Sequence, residues 1–135
     1  MTYMLDTNVC IDVMRKKSPL LEERIHLHFP QGLAISSITL AELEHGVAVS
    51  ARQEQNAAAL HNFVCGVKVL AFDANAARQY GIVRAALEKR RQVIGVPDMF
   101  IAGHALAVNL ILVTHNTREF TRVDGLTVED WILPS

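Results

Sequence analysis

Leu110-Ile111-Leu112-Val113-Thr114 is the most strand-like stretch of the chain. Its apolar residues leave neither face to water, which predicts a central strand of a parallel sheet. Upstream, Asp98 to Val108 reads as a helix with Ile101, Ala102, Ala105 and Leu106 turned inward. Gly95-Val96-Pro97 breaks the pattern before it, and Asp73 is placed to cap a long helix reaching about Arg91. Downstream, Thr117 to Thr121 predicts a short helical turn and Leu126-Thr127-Val128 a last strand.

The same alternation runs through the first half. Tyr3-Met4-Leu5 is a short apolar run that stops at the helix-capping residues Asp6-Thr7-Asn8, after which Val9, Ile11, Val13 and Met14 ride an amphipathic helix. Ser18-Pro19 opens a second helix that ends near Pro30-Gln31-Gly32. Leu33 to Ser36 predicts a strand, Ser37 to Ser50 a helix with Leu40, Leu43 and Val47 on one face, and Arg52 to Val64 another helix. Lys68 to Phe72 adds a strand. Strands alternating with helices, undivided by a linker, predict one α/β domain over residues 1–135. The expected architecture is a three-layer α/β/α sandwich around a short, mostly parallel sheet.

With 135 residues, half of them hydrophobic and 20% charged, the chain has the composition of a packed globule. The net charge of −1 decides little about a nucleic-acid substrate, because a nest of carboxylates lowers net charge while a bound cation restores positive potential locally. Cys10 and Cys65 form no CxxC pair and are expected as buried, reduced thiols. The N-terminus lacks the pattern of a signal peptide, and no apolar run approaches the roughly 18 residues of a membrane span. A soluble, cytoplasmic protein without membrane contact is expected.

In an open parallel sheet, ligands bind beyond the carboxyl ends of the strands. Asp6 and Asn116 follow two such ends, while Glu42 and Asp98 lie near the starts of helices. Four oxygen-bearing side chains can therefore converge on one cleft. Hard divalent cations take carboxylate, carbonyl and water oxygens, and metal-assisted phosphodiester hydrolysis needs such a cation to activate water and to offset phosphate charge. Each residue also has a plainer role: Asp6 as a cap, Glu42 as a solvated helix charge, Asp98 as a partner of the helix dipole, Asn116 as a turn residue. Lys89-Arg90-Arg91, Arg118 and Arg122 read either as solvated helix ends or as a rim that tracks phosphates. The histidines show no zinc-binding spacing; His115, at the cleft edge, is a candidate for surface or substrate contact.

Taken together, four segments resemble the PIN domain, specifically the VapC toxin family of bacterial toxin–antitoxin pairs. They are Met4-Leu5-Asp6-Thr7-Asn8, Ser36-Ser37-Ile38-Thr39-Leu40-Ala41-Glu42-Leu43, the run from Pro97-Asp98 to Ala105, and the run from Leu112-Val113-Thr114 to Phe120. The resemblance covers essentially the whole chain and implies a PIN-like fold. It also implies a Mg²⁺-dependent endoribonuclease, with Mn²⁺ as a possible substitute, inhibited by a cognate VapB-like antitoxin. Asp6, Glu42 and Asp98 match the family's metal-binding carboxylates, and its fourth position falls on Asn116, whose amide brings no charge. Thr7 and Thr114 would supply hydroxyls that hold the carboxylates, and Glu119, a turn beyond Asn116, could lend a further charge. Similar toxins cut structured RNA, including initiator tRNA, so tRNA is the leading substrate. A homodimer is expected, with an antitoxin segment received on the helices between Ser18 and Val64.

Rival folds lack their signatures. A receiver domain needs paired acids after the first strand and a lysine after a late one; a dehalogenase-like phosphatase needs Asp-x-Asp where this chain has Asp6-Thr7-Asn8; a dinucleotide-binding module needs GxGxxG. A PIN fold that binds RNA without cutting it stays open.

Overall fold

A computed structural model describes residues 2–133. The first half runs β1 (Tyr3–Leu5), α1 (Thr7–Met14), α2 (Pro19–His28) with a 3-10 turn at Phe29–Gln31, β2 (Leu33–Ser36), α3 (Ser37–Ala48) and α4 (Gln53–Cys65). The second runs β3 (Lys68–Leu70), α5 (Ala74–Lys89), α6 (Val96–Val108), β4 (Ile111–Val113), α7 (Thr117–Phe120) and β5 (Val128–Glu129). The five strands lie in the order β3-β2-β1-β4-β5, and every described pair is parallel.

The two-residue period of the strands builds two cores, one on each face of the sheet. Met4 and Leu112 point into a core shared with Leu87, Met99, Ile101 and Phe120, from α5, α6 and α7. Their neighbours Leu5 and Val113 point into the opposite core, with Val9, Leu21, Leu43 and Leu60 from α1 to α4 and with Trp131. That is the expected three-layer sandwich. The β1 and β4 strands are apolar on both faces because both faces are covered.

Helix starts follow the caps read at Ser18 and Asp73, and Ser36, read only as a strand end, caps α3 as well. Ser18 accepts the Leu21 N–H at 3.2 Å, Ser36 the Ile38 N–H at 3.0 Å and Asp73 the Ala76 N–H at 3.0 Å. Asn109, at φ 58°, closes α6 in the left-handed conformation. Gly103 lies where α6 meets α5: a Cβ there would fall 2.6 Å from the Tyr80 backbone nitrogen, so only glycine permits this approach.

Several boundaries move, each for a reason visible in the hydrogen bonds. The third strand ends at Leu70 because the Phe72 N–H leaves the ladder for the Ser37 hydroxyl at 3.0 Å. The fourth begins at Ile111 because the Leu110 N–H still closes α6 on the Ala105 carbonyl. The last strand starts at Val128, since Leu126 closes a turn on Val123 and packs against the α5–α6 core. α6 starts at Val96, with Pro97 inside its first turn, where a missing N–H costs nothing. One expectation about the thiols fails: Cys10 is buried, but Cys65 is exposed, because it ends α4 on the solvent side with Sγ 3.8 Å from His61 Nε2. Among the described residues, no helix is long and apolar enough to cross a membrane.

Candidate active site

Asp6 follows the last residue of β1, where its N–H still bonds the Val113 carbonyl at 3.0 Å. Its side chain is only 3% exposed. Oδ1 caps α1 by accepting the Val9 N–H at 2.8 Å, so capping and site placement belong to one residue. The fully buried Thr114, just past β4, accepts the Asn116 N–H at 2.9 Å, and its hydroxyl favours the charged form of the Asp6 carboxyl beside it. Burial raises the Asp6 carboxyl above the usual range, while Thr114, the Val9 N–H and His115 oppose that rise.

Glu42 comes from the second turn of α3. The Thr7 hydroxyl lies 2.6 Å from its Oε1 and 3.3 Å from Thr39 Oγ1. A hydroxyl has one proton, so Thr7 gives it to the carboxylate and accepts from Thr39. Thr7 therefore lies against the Glu42 carboxylate, as Thr114 lies beside Asp6.

Asp98 is in the first turn of α6. Burial, then the charges of Asp6, Glu42 and Glu119 in that order, push its carboxyl from 3.8 up to about 6. Glu119, which the resemblance offered as a further charge, is thus near enough to act on Asp98. Asn116 is the N-cap residue of α7 without a side-chain capping bond; its backbone carbonyl accepts from Glu119 and Phe120. Asn116 therefore starts the short helix that brings Glu119 within electrostatic range of Asp98.

Two of the basic candidates are engaged elsewhere. Arg90 donates to both carboxylate oxygens of Asp124, at 3.1 and 3.0 Å, and to the Arg122 carbonyl. Arg122 in turn reaches the Val93 carbonyl at 3.4 Å. Both guanidinium groups tie the end of α5 to the turn after α7. Lys89, Arg91 and Arg118 are exposed. Among the described residues, no hydrogen bond or ion pair joins these five basic side chains to the four acids. His115 has its own partners: Nδ1 is 3.3 Å from Asp130 Oδ1, and Nε2 is 3.0 Å from Asp12 Oδ2, close enough for an ion pair but out of hydrogen-bond line. It links α1 to the C-terminal segment. Asp12 and Asp130 went unread in the sequence, where nothing pairs them with His115.

Another unread residue is His104. It is 1% exposed, its Nδ1 lies 2.7 Å from Ser36 Oγ, and burial lowers its pKa toward the neutral form. Ser36 caps α3, which carries Glu42, and His104 is on α6, which carries Asp98. The pair joins the two helices beneath the acids.

Hard oxygen donors crowded until one is pushed toward neutrality form a donor set suited to a divalent cation, whose charge would relieve that repulsion. Among the described residues, no three His, Cys, Asp or Glu side chains are already gathered closely enough to enclose an ion. Beside Glu42 lies a hollow of about 250 Å³ between α1, α3 and α4, with Met14, Leu43 and Leu60 on its walls and Arg15 at the side.

A PIN domain family model matches residues 3–126. A tRNA(fMet)-specific endonuclease VapC from Shigella flexneri is 46% identical over 130 residues, which span 96% of this chain and 97% of the relative. The crystal structure of VapBC2 from Rickettsia felis, bound to a promoter DNA fragment, matches with a TM-score of 0.92 at 39% identity, over 97% of this chain and 99% of that one. DNA-bound VapBC from Salmonella typhimurium matches with a TM-score of 0.92 at 40% identity, over 97% and 98%. The chain belongs to the PIN domain family, within its VapC branch.

Proposed function

We propose that this chain is a Mg²⁺-dependent endoribonuclease, the toxin of a type II toxin–antitoxin pair. The observation that carries the reading is the placing of Asp6, Glu42 and Glu119 near enough to the half-buried Asp98 that burial first, and their charges after it, push its carboxyl up to about 6. Asp6, Glu42 and Asp98 would hold the cation, with Mn²⁺ as a substitute, and Glu119 would add charge beside it. When bound, the cation lowers the pKa of the attacking water and offsets charge on the phosphate.

The protein's own part is placement. Thr114 and the Val9 N–H fix the Asp6 carboxylate, and Thr7 fixes Glu42 at 2.6 Å. The Ser36–His104 bond sets the two acid-bearing helices against each other. A residue whose ligand geometry is held in advance loses less freedom on binding. With a metal-activated water as nucleophile no histidine base is required, and His115 is engaged by Asp12 and Asp130.

The Shigella relative is specific for tRNA(fMet), and this supports initiator tRNA as the substrate. The VapBC relatives support a VapB-like antitoxin as partner, and the hollow with Arg15 beside Glu42 offers it a partly apolar seat. A cytoplasmic homodimer completes the reading. The test is incubation of a total tRNA pool with Mg²⁺, comparing wild type, Asp98→Asn and wild type with EDTA. Discrete fragments confined to the first sample support the proposal. RNA bound but uncut by the wild type would make the chain a binding module.

A further inference from the structure

Glu42 stands on a ridge. On one side is the hollow that holds Arg15; on the other a larger open cleft of about 530 Å³ runs between α1, α3 and the start of α6. Thr7, Asn8, Glu42, His45, Pro97 and Phe100 line the second cleft, over a floor that includes Ile11 and Ile38. Its size is in the range of small-ligand clefts, roughly 300–1,000 Å³.

The chemistry of the two sides differs. The first side has a guanidinium. The second has no lysine or arginine in its lining, so Glu42 is its only charge and a phosphate has no counter-charge there. What it has is a fixed aromatic wall. Phe100 stacks on Tyr80 with centroids 4.0 Å apart and planes 10° from parallel, and Phe72 meets it edge-on at 5.4 Å. The Tyr80 hydroxyl is held by Arg84 at 2.7 Å, which fixes the far side of the stack. At the rim, Asn8 and His45 are exposed and offer an amide and an imidazole. A neutral, flat group with hydrogen-bonding edges suits these walls, and stacking is how proteins seat single-stranded bases.

The geometry points to this cleft as the seat of one nucleobase of the RNA strand, next to the phosphate that meets the carboxylates. The base packs beside Phe100 and Pro97, and Asn8 and His45 read its edge. This inference rests on the ribonuclease reading above, because Glu42 and Thr7 belong both to the cleft and to the acid cluster.

The experiment measures binding of a single-stranded oligoribonucleotide to the Asp98→Asn protein in Mg²⁺, alongside copies that each carry one abasic position. One abasic position is expected to weaken binding roughly tenfold, the scale of one stacked base, and the combined Asn8→Ala and His45→Ala substitutions, which remove the edge contacts and leave Phe100 in place, should reduce that penalty. Both residues are exposed, so folding is not at stake. Equal binding of intact and abasic strands overturns the inference, as does a penalty that is unchanged in the double variant. Loss of antitoxin binding by the double variant with the penalty intact assigns the cleft to a peptide and also overturns it. Cleavage by the wild type is assayed in parallel: a protein that cuts without a base penalty refutes the cleft alone, whereas one that cuts no RNA refutes the reading beneath it.

Discussion

The two halves of α6 follow opposite rules. Its first turn carries Asp98, half-buried and pressed by three other carboxylates. Its middle carries Gly103 and His104, packed so closely that a single methyl group would strike the Tyr80 backbone. The first turn is electrostatically strained and the middle is sterically satisfied. Repelling groups stay near one another only when the scaffold that carries them cannot spread, and the α5–α6 contact with the Ser36–His104 bond supplies that stiffness.

The sharpest way to break this contrast is to neutralise its strained half. Asp98→Asn should reduce Mg²⁺-dependent RNA cleavage by at least about a hundredfold, since even residues that only orient metal ligands are worth 10–100-fold. The same variant should melt at a higher temperature than wild type in EDTA, because a repelled charge has been removed. An Asp98→Asn protein that melts lower without metal would show that the acids stabilise the fold.

The pH dependence of stability tests the same strain. The folded state holds Asp98 at about 6 against an ordinary 3.8, so folding favours its protonated form. That contribution is fully present below about pH 4 and is lost as pH rises through about 6; for one carboxyl moved this far it is at most about 3 kcal/mol. Asp6 is shifted in the same direction. Urea melts of the metal-free protein at pH 4.5 and 7.5, settings of roughly the two limits, should show a loss that Asp98→Asn reduces. An unchanged loss in the variant would place the strain elsewhere.

The packed half is probed by Gly103→Ala. Its Cβ has backbone on the other side, not a flexible side chain, so the two helices must separate, at a cost of about 1–3 kcal/mol in thermal or urea unfolding. The smallest effect belongs to Arg90→Ala. Its ion pair with Asp124 is exposed, 37% and 81% on the two sides, and such pairs contribute about 1 kcal/mol or less. Weaker RNA binding in that variant, read by anisotropy, would return Arg90 to the role of phosphate contact that the sequence suggested.

Much of this was legible before any coordinates. Hydrophobic period and capping residues are local signals, and they placed the strands, the parallel sheet and the caps at Asp6, Ser18 and Asp73 with small errors at the boundaries. Those errors arose where a backbone N–H found a distant partner, as Phe72 did at Ser37. In the site, Asp6, Glu42 and Asp98 were marked by their positions at strand ends and helix starts, and the family resemblance added Thr7 and Thr114.

What the sequence by itself determined is the alternation of elements and the edge at which polar groups would gather, because both follow from the chemistry of neighbouring residues. The tertiary structure decided that Glu119, which the resemblance had offered as a further charge, comes within electrostatic range of Asp98 while Asn116 starts its helix. It also decided that Arg90, Arg122 and His115 are taken by Asp124, Val93, Asp12 and Asp130, and that a glycine and a buried histidine on α6 brace the acids. Those outcomes depend on distances between residues far apart in the chain, and a distance of that kind is fixed only when the layers pack.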